Sequence, residues 1–85
     1  MNLTLREWNE SCQYASNAVE ILKKEKHNIR IKMYTMYNGD KGLGFQVLDD
    51  AGNFFAEYLT GITESLSEMK ESIDKQVRRI AKECI

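Results

Sequence analysis

Hydrophobic positions along this chain change period twice. Leu5, Trp8, Cys12, Ala15, Val19 and Leu22 recur three and four residues apart, and Leu66, Met69, Ile73, Val77, Ile80 and Cys84 do so again near the other end. Such spacing lines each set along one face of a helix. Between them the alternation has period two, as in strands with one buried side. The pattern predicts helix, three strands, helix.

The first helix has a marked start. Thr4 with Glu7 three residues on makes a capping box, and Leu3 and Trp8 occupy the positions of a hydrophobic staple. Lys23, Lys24 and Lys26 crowd the far end, where cations suit the helix dipole. His27-Asn28 break the pattern, so the helix is expected to run to Lys24 or Lys26. The first strand is expected over 29–37, with Ile29, Ile31 and Met33 on one face and Arg30, Lys32, Tyr34 and Met36 on the other. Asn38-Gly39-Asp40-Lys41-Gly42 reads as a turn. The second strand is expected over 43–48, with Leu43, Phe45 and Val47 sharing a face. Gly44 inside it marks a bulge or a close approach of another chain segment.

Asp49-Asp50-Ala51-Gly52-Asn53 is a second hairpin connection. The third strand, over 54–59, has two apolar sets, Phe54, Ala56, Tyr58 and Phe55, Leu59, so its facing stays open. Thr63 or Ser65 caps the last helix, and Ser65 with Glu68 spells a second capping box. Glu64, Glu68, Glu71 and Asp74 load the first half of that helix with negative charge, and Lys75, Arg78, Arg79 and Lys82 load the second half with positive charge. Glu71 with Lys75 and Asp74 with Arg78 have the spacing of helical ion pairs.

Residues 1–85 make one small α+β domain, α-β-β-β-α, since the chain is too short for two. Hairpin-length loops imply a three-stranded antiparallel meander, with both helices packed on one face and the other face toward solvent. No run approaches the roughly 20 apolar residues of a membrane span. The start of the chain lacks the apolar core of a signal peptide, so a complete small cytoplasmic protein is expected. The formal net charge of -1 weighs against a nucleic-acid binder, which needs a basic excess to displace phosphate counterions.

Candidate chemistry narrows by exclusion. Cys12 and Cys84 fall on the apolar faces and read as reduced core thiols, although a bridge between the two helices is geometrically open. His27 is the single histidine and has no nucleophile or orienting carboxylate beside it. Asp49, Asp50 and Asn53 have turn spacing, not that of a calcium loop. Gly39, Gly42 and Gly44 lack the spacing of a phosphate cradle. No cofactor, metal or catalytic set emerges, and enzymatic activity is not expected.

The favoured binding surface is the open sheet face, Arg30, Lys32, Tyr34 and Met36 with Gln46 and Leu48 from the next strand. Tyr, Met and Arg are enriched in the cores of interfaces. A second candidate is the acidic surface Glu64, Glu68, Glu71 and Asp74.

Over residues 4–84 the order of elements resembles that of double-stranded-RNA-binding domains, in topology. Those domains open their last helix with a lysine-rich motif that meets phosphate. The matching segment here, Ser65-Leu66-Ser67-Glu68-Met69-Lys70-Glu71, is acidic and carries over none of that family's binding residues. The leading expectation is a non-enzymatic protein that binds another protein. By analogy of size and character it resembles the small phage proteins that inhibit host enzymes or nuclease complexes, the anti-CRISPR proteins among them. The alternatives are a nucleic-acid-binding module using Arg30, Lys32, Tyr34 and the basic end of the last helix, and a self-associating structural protein, such as a homodimer.

Overall fold

Five elements follow one another in the expected order: α1 (Leu5–Glu25), β1 (Ile29–Tyr37), β2 (Lys41–Asp49), β3 (Phe54–Leu59) and α2 (Leu66–Glu83). The computed structural model describes residues 3–26, 28–37, 41–61 and 65–84, and only the backbone of Met36, Tyr37 and Lys41. The readings made above for His27, Asn38-Gly39-Asp40, Thr63 and Glu64 lie outside the described residues.

The capping box forms as the sequence dictates. Glu7 N–H donates to Thr4 Oγ1 at 3.1 Å, and Thr4 N–H donates to Glu7 Oε1 at 3.0 Å. Leu3 and Trp8 are both buried, as a staple requires. Leu5 departs from expectation: it is 70% exposed, because the staple turns Leu3 into the core in its place. At α2, Ser65 is the cap, its Oγ accepting from Glu68 N–H at 3.2 Å.

The strands form one antiparallel sheet in the order β1-β2-β3. β2 is longer at both ends than its hydrophobic run, because Lys41 and Asp49 still pair with Tyr37 and Ile29. The β2–β3 turn is held by Asp49, whose Oδ1 accepts from Ala51 N–H at 3.0 Å and Asn53 N–H at 2.8 Å. Gly52 takes a φ of 89°, a left-handed conformation that suits glycine. With its oxygens occupied in this way, Asp49 is a turn residue.

β3 contains a bulge. Val47 pairs with Ala56 but Leu48 pairs with Phe54, which leaves Phe55 as the extra residue. The extra residue shifts the alternation by one, which is why two apolar sets overlap in its sequence. Tyr58 and Ala56 face the helices, and Phe54, Glu57 and Leu59 face away. Phe55 turns to the helix side, where it lines a 110 Å³ hollow with Ile29 and Cys84.

Both helices cover one sheet face. Leu43, Phe45 and Val47 of the central strand are fully buried against Ala15, Val19 and Leu22 of α1 and Met69, Ile73 and Ile80 of α2. Three polar residues join this core: Ser11 donates its hydroxyl to the Glu7 carbonyl at 2.9 Å, Thr60 Oγ1 accepts from Leu43 N–H at 2.9 Å, and Gln76 accepts from Arg79 at 3.3 Å. The helices run parallel. Lys70 meets Glu10 at 3.0 Å and Tyr14 meets Asp74 at 2.8 Å, both contacts sixty residues apart. That offset puts Cys84 level with Lys24, about 18 Å along the axis from Cys12, so the interhelical bridge left open above is closed off. Burial pushes the Cys12 thiol up, which favours its neutral form. No helix of the described residues is long and apolar enough to cross a membrane.

Candidate functional site

The face opposite the helices is organised in cross-strand rows. Pairing sets Arg30 beside Leu48 and Phe54, Lys32 beside Gln46 and Glu57, and Tyr34 beside Gly44 and Leu59. Of the residues singled out from sequence, Arg30, Lys32, Tyr34 and Gln46 therefore share one surface. Met36 lies next in the same alternation, its backbone paired with Gly42, and its side chain is outside the described residues.

Gly44 shapes the centre of this surface. A Cβ there would collide with the far end of the Tyr34 ring, so the ring lies directly across the Gly44 backbone. The close approach inferred from a glycine in mid-strand is thus made by a neighbouring side chain, without a bulge at that position. Across the sheet, Tyr34 lies beside Glu57. Burial pushes the Tyr34 phenol up, and the neighbouring Glu57 carboxylate adds to the shift. Gln46 Nε2 donates to Glu57 Oε2 at 3.1 Å. With Lys32, Tyr34 and Gln46, Glu57 lines an open depression of 450 Å³.

Apolar residues flank this polar centre. Phe54 is 64% exposed and Leu59 46% exposed, on opposite sides of Glu57. Neither they nor Glu57 stood out in the sequence, because the bulge obscures the facing of β3. The cue was Glu57 itself, the one charged residue of that strand, which marks its solvent side.

The second candidate surface is more entangled. Glu68 and Glu71 are exposed, Asp74 is half-buried, and Glu64 lies outside the described residues. Asp74 accepts from Tyr14 of α1 at 2.8 Å, and that bond holds the Tyr14 phenol up. Lys70 sits among these carboxylates, bonded to Glu10 and 5.3 Å from the centre of the Tyr14 ring. Among the described residues, Asp74 and Glu71 form no ion pair with Arg78 and Lys75, because Asp74 is turned toward α1. The acidic stripe is in part a tie between the helices.

At the far end of α2, Tyr58 donates to Glu83 at 2.9 Å and lies 3.4 Å from the Cys84 sulfur. Burial pushes the Tyr58 phenol strongly up, and the bonds to Cys84 and Glu83 push it further. A phenol held in its neutral form is a packing group. Comparison with known proteins finds no matching family, no matching curated protein and no matching solved structure.

Proposed function

We propose that this chain is a non-enzymatic protein that binds another protein through its open sheet face. The observation that carries this reading is Tyr34, the end of its ring packed over Gly44 and beside Glu57, with exposed Phe54 and Leu59 alongside. An aromatic ring already fixed in place loses little conformational freedom on binding. Tyr and Arg are also the side chains that most often dominate binding energy. Arg30 and Lys32 beside Glu57 provide charges of both signs, which set register with a partner more than affinity. The partner we envisage is a host enzyme or nuclease complex in the cytoplasm, inhibited as small phage proteins inhibit theirs. That step rests on analogy of size and character.

The test is a pull-down from the native cell extract, with and without nuclease, using the wild type and Tyr34→Ala. A protein retained by the wild type after nuclease treatment, and lost by Tyr34→Ala, supports the reading. Co-purification that disappears with nuclease overturns it in favour of nucleic acid, and points to Arg30, Lys32, Arg78 and Arg79.

A further inference from the structure

The two edges of the sheet are unlike. β1 and β3 each have a strand on one side only. Beside the β1 edge stand Arg30 and Lys32, both exposed, and charges of this kind discourage further strand pairing. β3 carries Phe54, Phe55 and Leu59, three of the five large hydrophobic residues exposed among the described residues.

The backbone groups that β3 leaves free follow from its pairing. Thr60 N–H donates to the Leu43 carbonyl at 2.9 Å, so Thr60, and Tyr58 two residues before it, turn their backbone groups toward β2. Glu57 and Leu59 therefore turn theirs to the outer edge. Among the described residues no backbone hydrogen bond meets them there.

We infer that β3 pairs with β3 of a second copy of this chain, antiparallel across a two-fold axis at Tyr58, to give a continuous six-stranded sheet. The charges select both the register and the occupant. An axis at Glu57 would set two carboxylates face to face, which is unfavourable. An axis at Tyr58 sets Glu57 of each copy opposite Leu59 of the other, in positions that exchange ladder hydrogen bonds. On the helix side, Arg79 lies 5.1 Å from the centre of the Tyr58 ring, and its Nε is 3.5 Å from Glu83. The same axis brings Arg79 and Glu83 of one copy beside Glu83 and Arg79 of the other. That pattern is self-complementary, as a two-fold interface requires. The bulge at Phe55 ends the pairing, so the interface is short and belongs to the weak, transient class. The site proposed above for a partner protein lies on the sheet face and stays accessible in this dimer.

Sedimentation velocity over a concentration series tests the inference. The wild type should dimerise with a dissociation constant on the order of 10–100 μM, as small interfaces do. Leu59→Pro removes an outward N–H at an edge position where proline is tolerated. It should keep the wild-type circular dichroism and raise the dissociation constant at least about tenfold, the loss of a ladder bond and its neighbours. Leu59→Glu replaces it should the proline variant not fold, and should weaken the dimer in the same direction, because it sets a carboxylate opposite Glu57 of the other copy. Mixed Glu57→Cys and Leu59→Cys chains should cross-link on oxidation, since opposed Cα atoms lie about 5.5 Å apart. A wild type that stays monomeric up to about 1 mM overturns the inference. So does a folded Leu59 variant that dimerises like the wild type, or mixed cysteine chains that fail to cross-link.

Discussion

Alternate residues of β2 serve opposite ends. Leu43, Phe45 and Val47 point at the helices and are fully buried, while Gly42, Gly44, Gln46 and Leu48 point away. Gly44 is buried too, but what covers it is the single ring of Tyr34. On the helix side, burial comes from many apolar side chains and holds the fold together. On the open side it comes from one aromatic ring beside one carboxylate. The difference teaches that a buried position need not be a core position. Here it is the seat of a surface residue, and stability and recognition rest on alternate side chains of the same strands.

The comparison breaks most readily at Trp8, which belongs wholly to the helix side. Trp8→Ala should cost about 3–5 kcal/mol in urea unfolding, a large share of the stability of a domain this small. A variant that melts with the wild type would move Trp8 out of the core and undo the division. Tyr34→Ala is its counterpart on the open face. It should weaken partner binding at least about thirtyfold, or about 2 kcal/mol, while the melting curve hardly moves. Glu68→Ala with Glu71→Ala should bind as the wild type does. If the acidic double variant alone loses binding in a titration, recognition belongs to α2 and not to the sheet.

Two smaller effects sharpen the picture. The Asp49 carboxyl is held below the usual carboxylate range, first by Asn53 N–H and then by the Asn53 side chain and the amides of Ala51 and Gly52, with burial opposing. As pH falls, the unfolded chain takes up that proton before the folded one does. The stability contributed by Asp49 is therefore full above the ordinary carboxylate pKa and is lost as pH falls through the lower folded value. Denaturation followed below about pH 4 should give a shallower acid limb for Asp49→Asn than for the wild type. The smallest effect is spectroscopic. In Glu57→Gln the Tyr34 phenol should titrate at lower pH, because the carboxylate that disfavours its ionisation is gone. An NMR titration in which Tyr34 is unchanged would show that Glu57 does not act on the phenol.

What the sequence disclosed was what depends on near neighbours. The Thr4–Glu7 box, the staple of Leu3 with Trp8 and the alternation of β1 need only residues a few positions apart. The facing of β3 was hidden because one extra residue, Phe55, shifts the alternation, and a period count cannot see what lies across the ladder. Leu5 was misread for a related reason: it fits the helical period, yet the staple has already filled its place. The surface residues of β1 could be named, but their companions Glu57, Phe54 and Leu59 depended on the bulge. Tyr34 and Gly44 are ten residues apart, and only the hairpin register sets one upon the other.

The parallel helices also have a consequence for the order in which the chain folds. Among the described residues, the ion pair and the hydrogen bond joining α1 to α2 each span sixty residues, whereas Asp49 and Asn53 close their hairpin across four. Loop-closure entropy therefore favours the hairpin over direct helix docking by roughly 2 kcal/mol. The meander acts as the template, and the helices join once it has brought their ends together. Stopped-flow measurements should then find that Asp49→Ala slows refolding, whereas Tyr14→Phe, which removes the bond to Asp74, mainly speeds unfolding. The reverse assignment would make helix pairing the nucleus. In the order the topology favours, the sheet spends the early moments of folding with both faces bare, and Arg30 and Lys32 beside one edge guard it against mispairing before any helix arrives.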